Sequence, residues 1–293
     1  MRKALTSALL LCAASLLLAA AVAPAPNYYV AHRYVLGGDG GWDYLTYDPG
    51  GKRLFISRSS HVMVVDPKSG KVLGDIANTP GVHGVALAPQ LERGFTSNGA
   101  GGSVGVFDLR TLQTLTTIAT GARNPDGIVY DPASGRVFTF NGGSGDATAI
   151  DAQTNAVVAT IPLGGRPEFP VVDGRGTIYD NIESTNEIVA IDARKAAIVA
   201  RWPLGNCRSP SGLSMDRLNR RLFVACRGVM AVVNADTGKV IATLSTGAGT
   251  DATRFDPQKG LPVAPKLHRG ELAGKVNATE TRIKPCAERW PSG

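Results

Sequence analysis

Short runs of alternating apolar and polar residues follow one another along the chain from about Asp48 to Asp256, and a polar turn closes each run. Alternation with a period of two predicts half-buried β-strands, and the 3.6-residue period of an amphipathic helix is not visible in this region. Asp-Pro and Gly-rich segments between the runs fit tight hairpins. The pattern therefore predicts an all-β chain built from antiparallel meanders.

The runs also repeat as a unit. One phrase is an Asp-Pro-like turn, a basic residue and a strand, as in DPASGRVFTF. The next is a strand ending in Asp or Asn, a polar turn and another strand, as in ATAIDAQTNAVVATI. The Asp or Asn of this second phrase recurs every 41 to 43 residues, at Asp66, Asp108, Asp151, Asp192 and Asn234. A period near 42 with four short strands per unit predicts a β-propeller of four-stranded antiparallel blades.

The two ends of the repeat region differ from its middle. The segment from His32 to Gly38 is expected to supply a fourth strand to a last blade and so to close the ring. A sixth copy begins at Gly249–Gly260, but Pro262 and Pro265 interrupt its second strand and no further anchor Asp follows. We expect an incomplete propeller over residues 28–260, with about five complete blades, and an atypical tail over residues 261–293 that results from a frameshift or truncation after Gly260.

The stretches GGWDYLTYDPGGKRLFISRSSHVMVVD and NPDGIVYDPASGRVFTFNG resemble the YncE-like family of secreted bacterial β-propellers, which are built from the YVTN repeat. The resemblance extends over about residues 30–260 and holds in every unit. It implies a seven-bladed propeller, from which this chain departs over the last two blades. Some members of the family bind DNA and many have no assigned activity, so the resemblance alone does not define a function.

Residues 1–23 have the pattern of a secretory signal peptide. Arg2 and Lys3 precede the apolar stretch Leu9–Ala20, and small residues follow at the expected cleavage site. The apolar stretch is too short to span a bilayer comfortably, and no other segment is long enough to be a membrane helix. The sequence therefore predicts a periplasmic or secreted protein.

The net charge of +7 does not mark a broad nucleic-acid surface. Much of the excess lies in the predicted signal peptide and in the segment after Gly260, so the repeats themselves are close to neutral. Cys207 and Cys226 both belong to the fifth blade, at the start and the end of one hairpin. In an oxidising compartment they are candidates for a disulfide that closes a loop of about twenty residues.

Alignment of the repeats defines a candidate site. The residue five positions before each Asp-Pro-like turn starts an innermost strand and is expected at the mouth of the central channel. We call this set the mouth ring: Asp43, His83, Asp126, Glu168, Ser211 and Asp251. The residues that end each second strand are expected on the same face and form the strand-end set: Arg58, Asn98, Asn141 and Asn181, with Cys226 in the fifth blade.

Three functions are compatible with such a surface. Carboxylate and amide oxygens suit a cation such as Ca²⁺, so the leading hypothesis is a non-enzymatic binding protein that takes a small polar ligand, a cation or a protein partner. The alternative is a metal-dependent, lactonase-like hydrolase in which His83 is a ligand or general base. Single-stranded DNA binding, suggested by the resemblance, is the third. Strand ends that face a wet channel are also polar without any ligand, so the pattern leaves these alternatives open.

Overall fold

A computed structural model describes residues 31–264. Within this range the chain forms twenty-two β-strands and one short 3-10 helix, and the strands pair into five four-stranded antiparallel sheets and one two-stranded sheet. The predicted signal peptide and the tail beyond residue 264 lie outside the described residues.

The first three sheets each use four consecutive strands, ordered as the chain runs. Blade 1 contains β1 (Leu45–Asp48), β2 (Arg53–Ser57), β3 (Val62–Val65) and β4 (Val72–Ile76). Blade 2 contains β5 (Val82–Ala88), the 3-10 helix Pro89–Leu91, β6 (Arg93–Asn98), β7 (Ser103–Asp108) and β8 (Thr114–Ala119). Blade 3 contains β9 (Pro125–Asp131), β10 (Arg136–Asn141), β11 (Asp146–Asp151) and β12 (Val157–Pro162).

The remaining sheets continue the same order. Blade 4 contains β13 (Pro167–Val172), β14 (Thr177–Ile182), β15 (Glu187–Asp192) and β16 (Ala197–Pro203). Blade 5 contains β17 (Leu213–Asp216), β18 (Arg221–Ala225), β19 (Val229–Asn234) and β20 (Val240–Ser245). The two-stranded sheet pairs β21 (Arg254–Asp256) with β22 (Leu261–Val263) and begins a sixth blade.

The first strands of the six sheets are neighbours in sequence order: β1 contacts β5, β5 contacts β9, β9 contacts β13, β13 contacts β17 and β17 contacts β21. Arg254 on β21 returns to the beginning of this series, since its Nη2 donates to the Leu45 carbonyl of β1 at 3.1 Å. Innermost strands arranged around a common channel define a β-propeller. The prediction of an all-β propeller with five complete four-stranded blades is confirmed.

Burial explains why the blades stack. The middle strands are buried on both faces, as in β15, where only the two end residues are partly exposed, whereas the outer strand β16 alternates between exposed and partly buried positions. Apolar clusters therefore form between consecutive blades. Phe55 of blade 1 meets Phe107 of blade 2 with ring centroids 5.8 Å apart, within a cluster that joins the two sheets.

The basic residue of the first repeated phrase ties each blade to the next. Arg53 Nη1 donates to the Leu109 carbonyl at 2.9 Å, and Arg93 and Arg136 make the same bond to the following blade at 3.0 Å. Blade 4 has Thr177 at this position. There the Tyr179 hydroxyl takes over and donates to the carbonyl of Ala235 at 2.8 Å. The repeat thus encodes a hydrogen bond between blades as well as a strand.

Two expectations about the ends are corrected. Residues 32–38 form no strand; instead Leu36 packs on the flank of blade 1 against Ile56, Met63 and Val65. At the other end, Pro262 does not interrupt the second strand of the sixth unit. It lies within β22, opposite Phe255, because an edge strand can present proline where the ladder needs no N–H donor.

Candidate functional site

Three mouth-ring residues lie in β-bulges at the start of their strands. In blade 2 the pairing passes from Val82 opposite Asn98 to Val85 opposite Thr96, so His83 and Gly84 together face a single residue of β6. The same irregularity occurs in β9 at Asp126 and in β13 at Glu168. Because a bulge turns a side chain out of the regular alternation, it can direct these residues towards the channel mouth.

His83 is held between two carboxylates. Its Nδ1 lies 2.6 Å from Asp43 Oδ2 and 3.8 Å from Asp126 Oδ1, and its ring also hydrogen bonds with the Asn124 side chain. The hydrogen bond to Asp43 raises the pKa of His83, and the Asp126 charge adds to this effect. The imidazolium form therefore neutralises part of the surrounding negative charge.

Two acids of the mouth ring, Asp126 and Glu168, have raised pKa values. Burial raises the pKa of Asp126, whose side chain is 12% exposed, against the opposing effect of His83. Burial also raises the pKa of Glu168 to about 7; the nearby Arg166 lowers this pKa, and the charges of Asp126, Glu183 and Asp251 raise it. Arg166 bridges two of these acids, with Nη2 3.1 Å from Glu168 and Nη1 3.3 Å from Glu183.

Asp180 lies beneath this group and was not anticipated from the sequence. It is fully buried on β14, and neither carboxyl oxygen has a hydrogen-bond partner among the described residues. Burial raises its pKa well above the usual value, and the nearby charges of Glu168 and Asp126 raise it further. A buried polar group without a partner is costly and uncommon in native structures, so Asp180 requires an explanation.

Two stacked aromatic rings lie between these carboxylates and the rest of the channel. Tyr44 and Phe169 follow ring residues Asp43 and Glu168 directly, and their centroids are 4.9 Å apart. The Tyr44 hydroxyl hydrogen bonds to Asp126, and burial together with four carboxylates raises its pKa well above the usual value. The equivalent residue in blade 3 is Gly127, where an added Cβ would lie 2.4 Å from the Glu168 carbonyl oxygen.

The other two mouth-ring residues contribute less. Asp251 is exposed and acts on the group only through its effect on the pKa of Glu168. Ser211 is partly buried, and its backbone N–H donates to the Ala225 carbonyl at 2.9 Å. The structure therefore concentrates the site on one side of the ring, around blades 1 to 4.

The strand-end set does not join this surface, which corrects the expectation that it lines the funnel. The side chains of Asn98, Asn141 and Asn181 are fully buried. Asn98 and Asn141 turn into their own blades and donate to Ser103 and Asp146, whereas Asn181 donates to the Ser211 carbonyl of the next blade. Arg58 points to the preceding loop, where its guanidinium donates to the carbonyls of Gly37, Gly38 and Gly40.

A regular hydrogen bond fixes the backbone of the mouth ring from the neighbouring blade. The hydroxyls of Ser57 and Ser97 donate to the carbonyls of His83 and Asp126, and the Asn181 amide donates to that of Ser211. Ser97 and Asn181 lie one residue before the end of the second strand of their blades, and Ser57 is the last residue of β2. Asn181, which the alignment of repeats places in the strand-end set, holds this donor position in blade 4, and Ile182 holds the position of Asn98 and Asn141.

In the structure a disulfide joins Cys207 and Cys226, with Cα atoms 5.4 Å apart and both side chains buried. Cys226 takes the place that Asn98 and Asn141 hold in blades 2 and 3. It closes the end of blade 5 covalently where those blades use an amide.

The five four-stranded sheets around a common channel place the chain in the class of β-propellers. No protein-family model matches it, and no curated protein matches its sequence. Its structure is similar to that of the hydrazine synthase of Kuenenia stuttgartiensis, with a TM-score of 0.55, over 82% of this chain and 99% of that one. The two are 16% identical, so this likeness shows the fold alone.

No helix in residues 31–264 is both long enough and apolar enough to cross a membrane.

Proposed function

We propose that this protein is an exported, non-enzymatic propeller of the YncE-like type that binds a small, positively charged ligand at the channel mouth. The observation that carries the proposal is the convergence of Asp43 and Asp126 on the His83 imidazole, close to Glu168 and to a buried carboxyl, Asp180, that has no hydrogen-bond partner among the described residues. Export rests on the predicted signal peptide and on the disulfide of blade 5.

A cation suits this mouth for two reasons. Carboxylates outnumber the cationic side chains around Glu168, and two of them have raised pKa values, so a bound positive charge would relieve their mutual repulsion. An aromatic ring lies beside the acids, since Tyr44 contacts Asp126, and a ring face attracts an ammonium group; the Phe169 ring on which Tyr44 stacks is already covered by Arg254. Both features suit an organic ammonium ion, whereas the oxygen atoms alone would suit Ca²⁺.

The test is calorimetric titration of the full chain with CaCl₂, ZnCl₂ and putrescine, alongside thermal unfolding. We expect at least one cation to bind and to raise the melting temperature. Asp126→Asn should weaken that binding at least about tenfold, because one carboxylate of the cluster loses its charge. Asp75→Asn, which alters a half-exposed acid on the outer strand β4, should leave it unchanged. No heat and no thermal shift with any of the three at millimolar concentration would exclude the proposal.

A metal-dependent, lactonase-like hydrolase is the second candidate. Asp43, His83 and Asp126 each offer one ligand atom, and these atoms lie within 4.8 Å of one another. A histidine oriented by a carboxylate is also the arrangement of a general base. Against this role, the His83 ring is already hydrogen bonded to Asp43 and Asn124, and its raised pKa favours the protonated form, which cannot act as a base. A screen of lactones with His83→Ala and Asp126→Ala decides the matter, since activity that survives both substitutions does not arise at this site.

Single-stranded DNA binding is the third candidate. The acidic mouth does not favour it, because clustered carboxylates repel the phosphate backbone. Fluorescence anisotropy with a labelled oligonucleotide at several salt concentrations is the corresponding check: binding that weakens steeply with salt would revive this candidate.

A further inference from the structure

The central channel contains a second feature, a cavity of about 350 Å³ on the other side of the aromatic pair. Tyr44 and Phe169 form part of its wall, and the inner strands supply apolar side chains, among them Val85, Ile128 and Leu213. Small-molecule sites are mostly apolar cavities of about 300–1,000 Å³ with a few polar groups that orient the ligand. The cavity lies at the lower end of this range.

Two guanidinium groups line the cavity, from Arg217 and Arg254, and no Asp or Glu does among its lining residues in the described part of the chain. Arg254 lies over the Phe169 ring, with Cζ 4.9 Å from the centroid. Its guanidinium donates hydrogen bonds to the backbone carbonyls of Leu45 and Thr253, and no acid in residues 31–264 lies within ion-pair distance of it. Desolvation in the channel lowers its pKa, as expected for a cation whose charge has no counterion.

This wall differs chemically from the mouth. At the mouth the carboxylates dominate and Arg166 pairs with two of them, whereas Arg254 faces apolar side chains and an aromatic ring. A planar guanidinium with free donors is suited to a carboxylate, which it can bind through two parallel hydrogen bonds. The apolar wall favours a hydrocarbon or aromatic body attached to that carboxylate.

We propose that the central channel binds a small apolar carboxylate, whose carboxylate group pairs with Arg254 and whose apolar body packs against Val85, Ile128 and Leu213. This site is independent of the cation site at the mouth. Inorganic phosphate should bind poorly, because it has no apolar body to fill the cavity, and the apolar side chains of the wall would remain in contact with water.

The test uses the full chain and benzoate as the probe. Methyl-labelled protein is titrated with benzoate, benzyl alcohol and inorganic phosphate while the NMR signals of valine, isoleucine and leucine methyls are followed. We expect benzoate to shift the methyl signals of Val85, Ile128 and Leu213, and to bind at least about tenfold more tightly than benzyl alcohol, which lacks the charge. Shifts confined to other residues, equal binding of benzoate and benzyl alcohol, or the absence of benzoate binding would each overturn the proposal.

Two variants sharpen the result. Arg254→Met should weaken benzoate binding at least about tenfold, while Arg110→Met, on an exposed outer hairpin, should not change it. If Arg254→Met fails to fold, the comparison of benzoate with benzyl alcohol on the unaltered protein still decides. Asp126→Asn should leave benzoate binding intact, so failure of this site is distinguishable from failure of the mouth site.

Discussion

Among the repeated positions that hold carboxylates in this propeller, the outer hairpins of blades 1 to 4 and the mouth of the channel place them in opposite electrostatic states. In the outer hairpins, Asp151 Oδ1 accepts hydrogen bonds from the backbone N–H groups of Gln153 and Thr154 at 3.0 and 2.8 Å. Asp108 and Asp192 make the same turn, and these hydrogen bonds lower the pKa of each residue.

At the mouth, burial raises the pKa of Asp126 and Glu168, and mutual repulsion adds to the effect. The difference follows from what the backbone requires. Every outer hairpin presents the same N–H groups, so each blade needs an acceptor at the same position, and Asn234 provides one where Asp is missing. The mouth ring has no such requirement. Its members can differ from blade to blade, and this variation allows the mouth to carry side chains that are complementary to a ligand.

The largest expected effect tests whether the buried carboxyl is a structural cost. Thr139 holds the position in blade 3 that Asp180 holds in blade 4, since both lie third after the residue that starts the strand. Asp180→Thr should therefore raise the free energy of unfolding by about 2–3 kcal/mol at pH 8, because it removes a buried carboxyl without a partner. Chemical denaturation measures this value.

The reciprocal exchange is the control. Thr139→Asp should lower the free energy of unfolding, because it replaces a buried hydroxyl without a partner by a carboxyl that is costlier to bury. Destabilisation by Asp180→Thr would mean that the carboxyl contributes to stability through an interaction that the hydrogen-bond geometry does not reveal.

The next effect tests how the mouth carboxylates change the free energy of unfolding with pH. Glu168 has its pKa raised from 4.5 to about 7 in the folded state. Its contribution to stability is therefore fully present below about pH 4.5 and is lost as pH rises to 7. We expect a loss of about 2 kcal/mol over this interval, after allowance for solvent screening. His83 extends the same trend to higher pH, because its raised pKa stabilises the fold only while it is protonated.

Glu168→Gln should flatten the stability profile between pH 4.5 and 7, as measured by denaturation at a series of pH values. Asp75→Asn, far from the mouth, should leave the profile as it is. An unchanged slope in Glu168→Gln would show that Glu168 titrates normally and that the contrast between the two positions is smaller than we infer.

The smallest effect tests the outer hairpins. Asp151→Ala should lower the free energy of unfolding by about 1 kcal/mol, as expected for the loss of a side-chain acceptor that satisfies backbone N–H groups. Asp151→Asn should be close to neutral at pH 7, because Asn234 already serves this role in blade 5. Thermal unfolding distinguishes the two variants.

The variants Asp151→Ala and Asp151→Asn also distinguish the outer-hairpin carboxylates from those of the mouth through the pH dependence of stability. The lowered pKa of Asp151 means that its contribution is present at neutral pH and is lost as pH falls below about 4, opposite to the trend at the mouth. Asp151→Asn should remove this acid-sensitive part. Equal destabilisation by Ala and Asn would indicate that charge, rather than the acceptor, is what the turn uses.

Much of the fold and part of the site could be predicted from the repeat. The strands, their order and the mouth-ring positions follow from the spacing of turns, because local hydrophobic alternation and turn chemistry act over a few residues. The burial of Asn98 and Asn141 could not be predicted in this way. The sequence pattern of a polar residue at a strand end is the same whether its side chain turns into the blade or towards the channel.

The sequence by itself determined the class of fold, the four-strand unit and the position where each blade meets the channel. Only the tertiary structure decided that His83 lies between two carboxylates, that Asp180 is buried without a partner and that Arg254 faces an apolar wall. The physical reason is distance along the chain. Burial and the interaction of charges depend on residues from different blades, some 40 to 210 positions apart, which periodicity places on one face but does not bring into contact.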